Sequence, residues 1–179
     1  IGSVLSGALS IAREREEGTF DQLLVAPYTP REILLGKGIS TVITSIMQTF
    51  FIVLVAMFWF RIPFQGSIWL LSGAILLFII TGAAIGLCIS SFSQSLQQAI
   101  VGTFLLVVPT VMLSGFATPI SSMPEFFQDL TLLNPMRYGL ELIQRIFLEG
   151  AGFMDLWPLF GAITLVTIGT AAAAIFSFC

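Results

Sequence analysis

An all-α, polytopic membrane protein is the fold class that the sequence predicts, and three observations predict it. Of the 179 residues, 56% are hydrophobic and 9% charged, with a mean hydropathy of +1.00, whereas soluble domains carry about 25% charged residues. The charges are also clumped: none lies between Lys37 and Arg61, between Arg61 and Glu125, or after Asp155. Uncharged apolar runs of about 20 residues mark spanning helices. Finally, nine of the seventeen charged residues fall between Arg13 and Lys37, so that segment is where an aqueous partner can meet the chain. Length and spacing allow about four complete spans after the end of an earlier one.

The same composition removes several function classes. A net charge of -3 without a basic tract gives no footprint for nucleic acid. Histidine is absent, and Cys88 and Cys179 stand alone, which disfavours a transition-metal site and a disulfide framework. Leu35-Gly36-Lys37-Gly38 has the look of a phosphate-loop end, but Gly38 stands where Ser or Thr should hold magnesium and the earlier glycine is missing. Neither Gly-x-Ser-x-Gly nor His-Glu-x-x-His occurs, and no span carries paired carboxylates. An enzyme active site or an intramembrane proton relay is therefore poorly supported.

Taken in order, residues 1–12 are apolar but too short to span, and they read as the end of a truncated helix. Residues 13–37 form the charged region. Gly18 stops the first helix, and Thr19 with Gln22 has capping-box spacing ahead of a short helix over Phe20 to Ala26. Phe20, Leu23 and Leu24 make one apolar stripe on it, which either lies on the headgroups or inserts into a groove of a partner. Thr29-Pro30-Arg31-Glu32 opens the next helix, whose part over 38–60 is the first complete span. Gln48, its strongly polar side chain, either bonds a neighbouring helix or lines a pathway.

An aromatic-flanked turn, from Trp59 to Trp69, leads into a span over 67–92. Gly82 and Gly86 there make a Gly-x-x-x-Gly step suited to close helix packing. The Ser- and Gln-rich stretch from Ser90 to Gln98 divides the 63 uncharged residues between Ile62 and Pro124, and the following span covers 99–116 with a bend at Pro109. Residues 117–155 are too polar to span and too apolar for a free loop. Ser121 or Ser122 is expected to cap a helix carrying Glu125, Phe126 and Phe127; Asn134-Pro135 breaks it, and a second helix follows. On that helix Arg137, Glu141, Arg145 and Glu149 alternate in sign at i, i+4. An interfacial helix and a re-entrant hairpin both fit. Gly150-Ala151-Gly152 ends the segment, and a last span covers 157–179. With residues 13–37 cytoplasmic, four Lys/Arg lie inside and three outside.

Several stretches together resemble ABC-2 type transport permeases, most closely the bacterial multidrug-export branch. They are Glu14-Arg15-Glu16-Glu17-Gly18-Thr19-Phe20-Asp21-Gln22-Leu23-Leu24 up to Pro27, Leu113-Ser114-Gly115-Phe116-Ala117-Thr118-Pro119, Ser122-Met123-Pro124, Asn134-Pro135 and Gly150-Ala151-Gly152-Phe153. The resemblance implies a type V-like exporter membrane domain of six spans, of which this chain is a C-terminal fragment, with a path between the first, second and fifth helices.

It also implies that Arg13, Glu14, Arg15, Glu16, Glu17, Gly18, Thr19, Phe20, Asp21, Gln22, Leu23 and Leu24 couple to an ABC ATPase. The hairpin with Arg137, Glu141, Arg145 and Glu149 would lie outside. No cofactor is expected on this chain; ATP and Mg2+ belong to the partner ATPase. The further implied partners are a second permease copy or homologue, the lipid bilayer of the inner membrane and a periplasmic adaptor. A different class also fits the residues: a non-transporting membrane scaffold recruiting a cytoplasmic protein through residues 13–37.

Overall fold

The computed structural model describes residues 1–18, 30–59, 66–116, 119–150 and 152–178, and every regular element among them is helical. The helices are α1 (Gly2–Glu16), α2 (Pro30–Phe58), α3 (Ile68–Phe92), α4 (Leu96–Met112), α5 (Glu125–Leu130), α6 (Pro135–Gln144) and α7 (Phe153–Phe178). Short 3-10 turns occupy Ile120–Ser122 and Thr131–Leu133, and a π-helical turn, Arg145–Glu149, continues α6. The expected short helix with Phe20, Leu23 and Leu24, like Thr19, Asp21 and Gln22, lies outside the described residues.

Three helices have the length and apolarity of a span: Leu35–Phe58, Ile68–Phe92 and Phe153–Ile175, with mean hydropathies of 2.1, 2.4 and 1.8. The chain is a membrane protein. At 1.5 Å per residue, the 17 residues of α4 reach only about 25 Å, short of a hydrocarbon core of about 30 Å. It covers different residues from the expected 99–116. Ser95 Oγ accepts the N–H of Gln98 at 3.3 Å and Gln98 Oε1 accepts that of Gln94 at 2.9 Å, a reciprocal cap that starts α4 inside the polar stretch. At the other end, Gly115 with φ +87° turns the chain away. Helix α7 likewise begins before Trp157. Its first turn contains Asp155, a favourable site for a carboxylate at a positive helix end.

The helical residues gather into two compact units: residues 1–48, 79–107 and 168–179 form one, and residues 49–78 and 108–167 the other. In the first unit the core is built from small and branched side chains, with Ala8, Ile11 and Ala12 of α1 fully buried and Ala83, Leu87 and Ala99 nearly so. Such residues let helix backbones approach closely where lipid gives no hydrophobic drive to association. In the second unit Leu71, Ala74, Leu142, Ile146, Leu156 and Ile163 form a buried cluster with Phe78, Tyr138 and Phe160 packed around it. By contrast α2 presents Leu35, Ile39, Ile43, Met47, Phe50 and Phe51 as an exposed apolar ridge. A ridge of that kind in a span is lipid-facing surface or a seat for further helices.

Between Pro119 and Gly150 the local signals act differently from the expectation. Neither Ser121 nor Ser122 caps α5; Pro124 holds the N-cap position without a side-chain hydrogen bond. Ser122 Oγ instead donates to the Pro119 carbonyl at 2.7 Å, because the backbone around Ser122 already closes a 3-10 turn. Asn134 is the effective cap: its Oδ1 accepts the Met136 N–H at 3.0 Å, with Pro135 at the first helical position. Gly150, at φ +63°, closes the π turn by donating its N–H to the Arg145 carbonyl.

Candidate functional site at the charged end of α1

Helix α1 is held against α3 by backbone contact. Gly7 and Gly86 face one another, and a Cβ on Gly86 would meet the Val4 carbonyl, the Ala8 nitrogen and the Gly7 Cα. Gly82, one turn away, lies against the Ser3 side chain. The Gly-x-x-x-Gly step therefore faces α1. One turn beyond Gly86, the buried Ser90 Oγ accepts the N–H groups of Ile11 and Ala12 at 3.2 and 3.0 Å. The two hydrogen bonds lock the axial register of the pair.

The charged block follows directly. Glu14 forms an ion pair with Lys37 of α2, both half-buried. Glu16 Oε2 accepts the N–H of Leu96 at 2.7 Å, placing a carboxylate on the free donors at the start of α4, where the helix dipole favours negative charge. Glu16 and Glu14 are thus engaged within the chain. Arg13, Glu17 and Gly18 are exposed, Arg15 stands in the last turn of α1, and Gly18 at φ +71° ends the helix. Within the six residues from Ile11 to Glu16, α1 is tied to α3, α2 and α4 in turn. That cluster ends immediately before residues 19–29.

The other residues singled out by sequence sit elsewhere. Gln48 is exposed and brings its amide close to Gly2 at the opposite end of α1, where a Cβ on Gly2 would strike it. Pro109 lies in the last turns of α4 and leaves the Leu105 carbonyl without its helical donor. Of the four charged residues expected to alternate along the second hairpin helix, Glu141 and Arg145 pair at 2.7 Å. Arg137 does not continue that ladder but donates to Thr131 Oγ1 at 2.6 Å, and Glu149 falls in the π turn, which shifts it off the i, i+4 row. Arg137, Glu141, Arg145 and Glu149 therefore act as separate contacts rather than one row.

Sequence reasoning missed Lys37, Ser90, Leu96 and Asn134 as contact-makers. Asn134, besides its cap, donates from Nδ2 to the Thr110 carbonyl at 2.7 Å, tying α6 to α4 inside the second unit. The signal for Ser90 was present, since a serine one turn after Gly86 shares its helix face. Leu96 carried none, because the group used is a backbone N–H. No group of three or more His, Cys, Asp or Glu side chains placed to hold a metal occurs among the described residues.

Comparison with known proteins shows the family. Residues 1–148 match the model of the family described as ABC-2 type transporter. The chain is 36% identical over 180 residues to the "Probable multidrug ABC transporter permease YbhR" of Escherichia coli K12, which covers 98% of this chain and 48% of that protein. It is also 36% identical over 169 residues to the "Inner membrane transport permease YhhJ" of the same strain, covering 94% of this chain and 44% of the relative. The "Linearmycin resistance permease protein LnrN" of Bacillus subtilis is 26% identical over 173 residues, or 97% and 45%. The chain spans about half the length of the curated relatives it matches. No solved structure matches it. With the family match running through all helices from α1 to α6, the chain belongs to the ABC-2 type transporter family.

Proposed function

We propose that this chain is the membrane-spanning part of a permease in an ABC exporter of the bacterial inner membrane, driven by ATP hydrolysis on a separate ATPase chain. The permease would act as a pair with a second copy or a homologue, each associated with one ATPase. Drug-like, lipid or other amphipathic molecules are the substrate class, in keeping with the apolar spans and with relatives named for multidrug transport and linearmycin resistance. A periplasmic adaptor would complete the route where the cell has a second membrane.

One observation carries the reading: the six residues from Ile11 to Glu16 at the end of α1 bind three other helices just ahead of residues 19–29. A push on that segment would reach α2, α3 and α4 through an ion pair and hydrogen bonds, without slack. Small displacements at such a joint become rigid-body helix movements because packed helices are not continuously deformable. Energy would enter through Phe20, Leu23 and Leu24, the apolar stripe of the segment.

The test is co-purification of the full-length permease with ABC ATPases from the same cell, comparing wild type with Phe20→Asp/Leu23→Asp/Leu24→Asp. Capture of an ATPase by wild type alone is the expected result. If both proteins insert and neither captures an ATPase, the exporter reading fails and recruitment of another cytoplasmic protein takes its place.

A further inference from the structure

Beside the charged end of α1, within the first unit, α1 and α2 leave a crevice of about 440 Å3 between them. Its walls are polar at a depth where the surrounding helix faces are not. Arg13 and Glu14 of α1 and Glu17 just beyond it face Lys37 of α2, and the hydroxyls of Ser6, Ser10, Ser40, Thr41 and Thr44 continue the lining inward. Lys37, Thr41 and Thr44 recur at i, i+4, i+7, so one stripe of α2 is polar while Leu35, Ile39 and Ile43 on another are exposed and apolar. The apolar span begins at Leu35. Lys37 to Thr44 therefore occupy the first 14 Å or so of the span, at 1.5 Å per residue, which includes the headgroup layer.

Thr41, on the crevice wall, is only 4% exposed. It lies beside two cations, two carboxylates and four further hydroxyls, those of Ser6, Ser10, Ser40 and Thr44.

We propose that the crevice binds the zwitterionic headgroup of a phospholipid, with a primary ammonium group next to a phosphate. The charges of Arg13, Lys37, Glu14 and Glu17 sum to zero, so an anionic headgroup would find no net attraction, whereas a zwitterion finds both signs. Its phosphate meets Arg13 and Lys37 together with the Thr41 and Ser40 hydroxyls, groups that donate to phosphate oxygens. Its ammonium meets the Glu17 carboxylate and can donate N–H bonds that a quaternary ammonium cannot. The volume equals about fifteen waters at 30 Å3 each, ample for such a headgroup. Lipid is the occupant favoured here because the site opens in the first turns of an apolar span, beside the exposed apolar side chains of Leu35, Ile39 and Ile43. This inference does not rest on the exporter reading, and its test involves no ATPase.

The full-length permease is exchanged into an equimolar mixture of phosphatidylethanolamine, phosphatidylcholine and phosphatidylglycerol with identical acyl chains, and retained lipid is counted by native mass spectrometry. Wild type is expected to retain phosphatidylethanolamine above the other two. Glu17→Gln should lower that preference by about tenfold, the loss expected for one hydrogen bond to a charged group, and Thr41→Val, which touches the phosphate common to the three lipids, should lower total retention by about as much and leave the preference unchanged. Ser40→Ala, at an exposed position, repeats the test should Thr41→Val fail to insert. Equal retention of all three lipids, a preference for phosphatidylglycerol, a Glu17→Gln variant that keeps the wild-type preference, or a Thr41→Val variant that retains as much lipid as wild type would each overturn the proposal. So would a Ser10→Cys variant that cross-links to a segment of the permease preceding residue 1, because the crevice would then be filled by protein.

Discussion

Gly86→Ala tests the α1–α3 contact with the smallest possible change. The new Cβ would collide with the Val4 carbonyl oxygen and lie 2.9 Å from both the Ala8 nitrogen and the Gly7 Cα. All three are backbone atoms, so no rotamer change relieves the clash and the helices must separate by at least about 0.5 Å, which forfeits a quarter or more of each dispersion contact along the crossing. Overpacking of this kind costs about 1–3 kcal/mol. Separation also stretches the Ser90 hydrogen bonds, already at 3.0 and 3.2 Å, for about 1 kcal/mol more. Better helix propensity of alanine returns about 1 kcal/mol, leaving a net loss of about 1–3 kcal/mol. The control is Gly73→Ala, where nothing lies within 4 Å of the added carbon; it should be neutral or stabilising. Thermal unfolding of the full-length permease in one detergent reads both. Equal midpoints for the two variants would refute the claim that α1 and α3 touch through their backbones.

Three further changes probe other parts. Asn134→Ala removes both the cap on Met136 and the bond to Thr110 and should cost about 2 kcal/mol in the same melt; Asn134→Asp, which keeps only the cap, should fall between. Gly150→Ala places a side chain at φ +63° and should cost about 1 kcal/mol, whereas Gly161→Ala, in open space within α7, should not. Leu23→Asp is expected to leave the permease inserted while uncoupling transport from ATP hydrolysis, measured as ATPase activity without substrate efflux in vesicles; normal efflux by that variant would count against the coupling role of residues 19–29.

How much of this could be read from sequence depends on the range of the interaction. The existence of apolar helices follows from where charge is absent, and Gly18, Gly115 and Gly150 mark turns because positive φ is cheap only for glycine. The Asn134-Pro135 pair is equally local. Helix limits were less legible: α4 starts at Leu96 because Ser95 Oγ accepts the Gln98 N–H and Gln98 Oε1 accepts that of Gln94, and that signal was hidden in a stretch that reads simply as polar. Partners far apart in sequence were not legible at all. The charges from Arg13 to Glu17 read as one surface for a partner protein, whereas Glu14 and Glu16 turn to Lys37 and to a backbone N–H 23 and 80 residues away. Composition shows that a carboxylate needs a partner, not which one it will have. Ser122 shows the reverse error, a capping residue whose hydroxyl is already taken by the turn before it.

The reach of the Glu16 contact has a consequence for synthesis. Eighty residues separate the carboxylate from the N–H it accepts, so at about 5–20 residues per second the ribosome delivers Leu96 roughly 4–16 s after Glu16. Ser90, which holds the same helix, arrives only slightly sooner. Until then the end of α1 has only the Glu14–Lys37 ion pair with α2 to hold it. The joint at residue 16 is thus among the last parts of this region to close, and a chain interrupted before residue 96 would expose an unclosed first helix to whatever surveys unfinished membrane proteins.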